Sequence, residues 1–224
     1  MEQTANLEEN KLIIKSSAPK IVYNDIVFSN FSLHAQSYPY GTALKTGFDE
    51  IAFLQEADST IVGIEDFLIS ALMKNDSIRY SISWDRMLGA PVDISFIDGV
   101  LNFEEYPKLS MNLPDMSVIL RDGDTPWRVK PENRISYDAG NVVVDSLHFF
   151  TTDGSRAIID GAMLKDTTSS VFIDMKNWDL SIVNMFLGES GLAIFGNISG
   201  KVALSDIYSD LSADADITID ALRL

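Results

Sequence analysis

The chain has two histidines, His34 and His148, and no cysteine. Each histidine stands in a run of alternating apolar and polar residues, with no second histidine at a metal-ligand spacing, so both read as polar-face strand residues. A Ser/His/Asp arrangement can be drawn from any chain this rich in serine and aspartate, and nothing in the spacing singles one out. Asp206 with Asp210, and Asp214, Asp216 with Asp220, are the possible calcium ligands. The second set shares one parity of a strand, so its carboxylates line up along a face instead of converging from a tight glycine-hinged loop. They read as a solvated face that also discourages edge-to-edge pairing. Gly188, Gly191, Gly196 and Gly200 are too dispersed for a phosphate loop. Trp84, Trp127 and Trp178 share no obvious strand face, as a carbohydrate-active surface would need, and read as packing residues. No catalytic residue, metal or cofactor is expected.

The elements left to organise the chain are strands. Leu192, Ile194, Gly196, Ile198, Gly200, Val202 and Leu204 share one parity, against mostly small or polar residues on the other. Successive strand side chains point to opposite faces, so this run has one apolar face and one wetter face, with a bend expected at Gly196 or Gly200. Ile78, Tyr80, Ile82 and Trp84 alternate with Ser77, Arg79, Ser81 and Ser83 in the same way. Val27 to Ala35, Val142 to Phe150, Ala157 to Leu164 and Ile217 to Ala221 read alike. Ile61 to Lys74 fits both periods and leans to strand. Asp98-Gly99 and Asp153-Gly154 read as turns. Asn177 to Leu187, with Asp179, Leu180, Ile182, Val183, Phe186 and Leu187, reads as a short amphipathic helix stopped by Gly188. The fold class is therefore all-β, with local hairpin connections and one or two short helices. Residues 1–10 read as a frayed lead-in and 11–224 as one elongated β domain.

The balance of 17 basic against 33 acidic residues, net −16, repels phosphate backbones and argues against nucleic acid. At 46% hydrophobic and 22% charged, the chain can bury a core. The N-terminus has no signal-peptide pattern, and no apolar run approaches a membrane span. These features fit either a cytosolic protein or a segment of a longer exported one. The strand pattern running up to Leu224 favours the second reading.

A resemblance sharpens this picture. The segment PWRVKPENRISYDAGNVVVDSLHFFTTDGSRAIIDG (126–161) begins a strand with Trp-x-Val, sets an Asn before an Ile strand, and continues through Leu-x-Phe to Asp-Gly. After it come DLSIVNMFLG and FGNISGKVALSDIYSDLSADADITIDAL. With Ile78 to Trp84, this succession resembles the TamB family of translocation and assembly module proteins, within the AsmA-like group, over Ser77 to Leu224. The resemblance implies an interior segment of a long periplasm-spanning protein of Gram-negative bacteria, anchored to the inner membrane through a part not present here. It implies a long curved sheet with an open apolar groove, the β-taco, that shields phospholipid acyl chains between the two membranes. Partners implied are flanking segments of the same chain and, elsewhere in the full protein, an Omp85-type outer-membrane barrel. The candidate groove lining is Ile78, Tyr80 and Ile82; Val142, Val144, Ile159 and Met163; Leu192, Ile194, Ile198, Val202 and Leu204; and Ile217 and Ile219. The alternative is a closed β-sandwich serving as a structural or adhesive module.

Overall fold

The computed structural model describes residues 2–6, 12–24, 26–54, 60–85, 94–105, 107–120, 125–165, 169–180 and 194–223, with backbone alone at 2–6, 53–54 and 60–62. It is all-β, and no helix occurs among the described residues. Two compact units result: 1–102 with 116–118, and 103–115 with 119–224.

The first unit holds β1 (Glu2–Asn6), β2 (Ile13–Tyr23), β3 (Ile26–Tyr38), β4 (Gly41–Leu54), β5 (Thr60–Lys74), β6 (Ser77–Asp85) and β7 (Ser95–Phe103). Each pairs antiparallel with the next, so the strands form a meander. The lead-in is ordered as β1, because the outer edge of β2 offers unpaired backbone groups that residues 2–6 satisfy. Asp98-Gly99 does not turn the chain; both lie inside β7. The reason is lateral packing. Gly99 pairs with Tyr80, and a Cβ at Gly99 would lie 2.1 Å from the Tyr80 ring.

The second unit holds residues 109–115 of β8 (Leu109–Val118), then β9 (Trp127–Val129), β10 (Arg134–Asp138), β11 (Asn141–Phe150), β12 (Arg156–Met163), β13 (Ser170–Asp179), β14 (Phe195–Ser205) and β15 (Ser212–Arg223). From β10 to β15 the order again follows the chain, with β8 beside β10 and β9 beside the far end of β11. Asp153-Gly154 turns β11 into β12, as expected. Beside β9, the Asn133 amide stands in for a strand residue. It accepts from the Leu113 N–H at 2.9 Å and donates to the Leu113 carbonyl at 2.8 Å.

The expected helix at Asn177–Leu187 is corrected in part: Asn177, Trp178 and Asp179 complete β13, and 181–187 lie outside the described residues. β13 itself changes phase along its length. β13 carries one more residue than β14 between the pairs Met175↔Gly200 and Trp178↔Ile198, so Met175 and Trp178, three apart, share a face. The extra residue is Asn177, with φ 50°. Ser146 does the same in β11, between Val144↔Gly161 and Leu147↔Ile159, and Ala221 in β15 opposite Gly196. In β5, Asp66 (φ 48°) puts Ile64 and Phe67 on one face, which is why this stretch fits a helical period as well as a strand.

Candidate apolar ligand surface

Each unit has an apolar face built from direct cross-strand pairs. In the second unit the rows read Leu204–Val171–Gly161–Val144–Ile135–Met111, then Val202–Ile173–Ile159–Leu147. A third runs Ile217–Gly200–Met175–Ala157–Phe149–Val129, and a fourth Ile219–Ile198–Trp178. The bulges hold these rows together: each restores phase where the sequence slips, so the residues of these rows stay on the same side. Gly200 serves the third row. Its φ of +147° disfavours any other residue, and a Cβ there would meet the Asp216 carbonyl oxygen at 2.1 Å.

Of the residues expected to line a groove in this unit, those within the strands share that face. Val142 pairs with Met163, Val144 with Gly161 and Ile159 with Ile173, while Ile198, Val202 and Leu204 face Ile219, Ala215 and Ala213. Ile217 opposes Gly200. Ile194 immediately precedes β14 and is half-buried, and Leu192 lies outside the described residues. Burial is graded. Val129, Val144, Leu147, Ala157 and Val171 are nearly inaccessible, whereas Ile217 and Ile219 on β15 are 41% and 45% exposed.

In the first unit, Ile78, Tyr80 and Ile82 pair with Met73, Ala71 and Ile69 on one side and with Leu101, Gly99 and Ile97 on the other. Burial in this setting raises the Tyr80 phenol pKa. The same face carries an aromatic ladder that sequence reading overlooked. The rings of Phe28 and Phe31 lie 4.9 and 5.2 Å from that of Phe48, which lies 6.4 Å from Phe67. Such tilted pairs stabilise by about 0.5–1.5 kcal/mol each beyond area burial. The signal that could have found it is Phe28 and Phe31 flanking Asn30, whose φ of 54° marks another phase correction. Trp127 and Trp178 are likewise brought together, ring centroids 5.5 Å apart.

The polar parities hold what could have been chemistry. His148 packs against Phe150, and its pKa is lowered by partial burial and by Lys130 and Arg156. His34 lies in the other unit. Asp214, Asp216 and Asp220 line one parity of β15, facing Ala203, Lys201 and Asn197. Among the described residues no cluster of three metal-ligating side chains forms.

Among the described residues, the rows named above are mainly aliphatic and aromatic, a surface complementary to apolar groups. Compared with protein-family models, curated proteins and solved structures, the chain finds no match.

Proposed function

We propose that this chain is a non-enzymatic segment of a TamB-type, bridge-like protein of the Gram-negative periplasm, whose apolar faces shield phospholipid acyl chains during passage between inner and outer membranes. The observation that carries the reading is the fourteen-residue lining set: its described members fall on one apolar face per unit, and that face stays part-exposed towards β15. A sandwich core needs a second sheet over that face, and the strands described in each unit belong to one antiparallel sheet. Acyl burial is worth about 0.8 kcal/mol per CH₂, so a two-chain lipid can be held without a charged anchor. On this reading the exposed edge of β15 pairs with a flanking segment of the same long chain, and an Omp85-type barrel is engaged elsewhere in it.

Native mass spectrometry of the chain purified from a Gram-negative host tests the proposal. Co-purifying phospholipid, lost in Ile198→Asp or Val202→Asp with the circular dichroism spectrum kept, is the expected result. A lipid-free mass, with no uptake of fluorescent phospholipid from vesicles, would favour a closed structural module.

A further inference from the structure

The opposite, polar face of the first unit carries a feature that lipid shielding does not use. Lys15 on β2 pairs directly with His34 on β3, and His34 with Lys45 on β4. Ser17 and Ser32 form the next pair on that face, and all five residues border one open concavity of about 430 Å³. Strands about 4.8 Å apart set Lys15 and Lys45 about 10 Å apart across His34, within reach for two four-carbon stems to converge.

Lys15 and Lys45 carry like charges on one row, two strands apart, and acids outnumber bases 33 to 17 in this chain, so neutralising partners were available. Among the described residues neither lysine forms an ion pair. The ion pairs among the described residues, Lys108–Asp138, Arg134–Glu104 and Arg156–Asp174, all lie in the second unit. On the same row the first acid is Asp98, beyond Ser70 and Ser81; along β4 it is Glu50, past Asn30; and on the neighbouring row Glu2 of β1 pairs with Ser17. The cations are thus left facing outward together.

We infer that Lys15, His34 and Lys45, with the hydroxyls of Ser17 and Ser32, form a binding site for one compact phosphate-class anion. The ammoniums supply charge-assisted hydrogen bonds, and the imidazole and hydroxyls complete the donor set. The anion is either free phosphate or the phosphodiester of a phospholipid headgroup. A polyanion does not fit, because the acidic surroundings repel its remaining charges. The site lies on the face opposite the aromatic ladder and stands whether or not that ladder contacts lipid.

The test titrates the whole chain with inorganic phosphate by calorimetry, and floats it with vesicles of phosphatidylcholine alone or mixed with phosphatidylglycerol. K15Q/K45Q is the site variant and Lys74→Gln, on β5 away from the row, the control. Binding of at least one probe, weakened about tenfold or more in K15Q/K45Q and unchanged in the control, is expected, since tenfold corresponds to about 1.4 kcal/mol of lost contact. Saturation by phosphate without flotation identifies the free anion; flotation that requires phosphatidylglycerol identifies the headgroup. Without ligand, K15Q/K45Q melts no lower than the parent, because the repulsion between the two lysines is gone, and phosphate raises the melting temperature of the parent alone. Binding of neither probe, equal binding by K15Q/K45Q, or binding of heparin as strong as that of phosphate overturns the inference.

Discussion

Asn177 donates its backbone N–H to Ser199 Oγ at 2.9 Å, across the ladder between β13 and β14. This bond satisfies the group that a bulge would otherwise leave unpaired, at the point where β13 changes phase. Ser146 repeats the device in β11, donating its N–H to Asp160 at 3.0 Å. Polar residues on one face thus maintain the alignment of apolar residues on the other.

The bulge at Asn177 is therefore expected to tolerate glycine and to resist a β-branched residue. Asn177→Gly should leave stability within about 0.5 kcal/mol, while Asn177→Val should cost about 1–2 kcal/mol, since the left-handed region suits only short polar residues and glycine. Deleting Asn177 should do far more, turning Trp178 to the polar side. Urea unfolding followed by tryptophan fluorescence ranks the three; equal loss in all of them would show that the bulge has no role in phase.

Gly200→Ala should cost about 1–3 kcal/mol, because the new methyl meets the backbone carbonyl of Asp216, which cannot swing aside as a side chain can. Hydrogen exchange should localise the damage to β14 and β15. Protection unchanged across both strands would contradict the close approach described here.

Ser16 sits on the apolar side of β2, paired with Leu33, and its Oγ is buried without a hydrogen-bond partner. A buried hydroxyl that makes no bond is a liability of about 1 kcal/mol or more. Ser16→Ala should leave thermal stability unchanged or raise it, as calorimetry would show. A clear drop would mean that the hydroxyl is satisfied in solution.

Acid should destabilise the second unit in two stages. The folded pKa of His148 is lowered, first by burial and then by Lys130 and Arg156, so the unfolded chain takes up the proton more readily. Its contribution is complete above the unfolded value of 6.5 and is lost as pH falls through the folded value. Asp153 is also lowered, first by the Thr151 hydroxyl hydrogen bond and then by the Ser155 N–H, and its contribution is present above 3.8 and lost at more acidic pH. His148→Gln should abolish the first stage and leave the second. Retention of both stages in that variant would assign the first to another group.

Strand identity was legible in the sequence wherever alternation ran unbroken, as from Ile78 to Trp84, because period two has one structural meaning. Alternation was misread where one inserted residue shifted the phase. Asp66 produces an apolar i, i+3 spacing, Ile64 with Phe67, that imitates a helix, and Asn177 shifts the phase of β13 in the same way. Asp98-Gly99 carries turn chemistry, yet the strand runs through it, since Tyr80 requires an absent side chain more than the chain requires a turn. That Val142 and Val144, or Ile198, Val202 and Leu204, share one face was legible from parity alone. The Phe28–Phe31–Phe48–Phe67 ladder and the Trp127–Trp178 pair were not, because they depend on the register between strands, which no single strand encodes.

Photocrosslinking tests the central claim most directly. A photoreactive side chain placed at Ile159 or Val202, on the apolar face, is compared with one at Lys201 or Asp174, on the polar face of the same strands or their neighbours. After irradiation in cells, phospholipid adducts are read by mass spectrometry. Adducts at Ile159 and Val202, with few or none at Lys201 and Asp174, are the predicted result. Equal labelling of both faces, or labelling of neither, would contradict an apolar face that carries acyl chains.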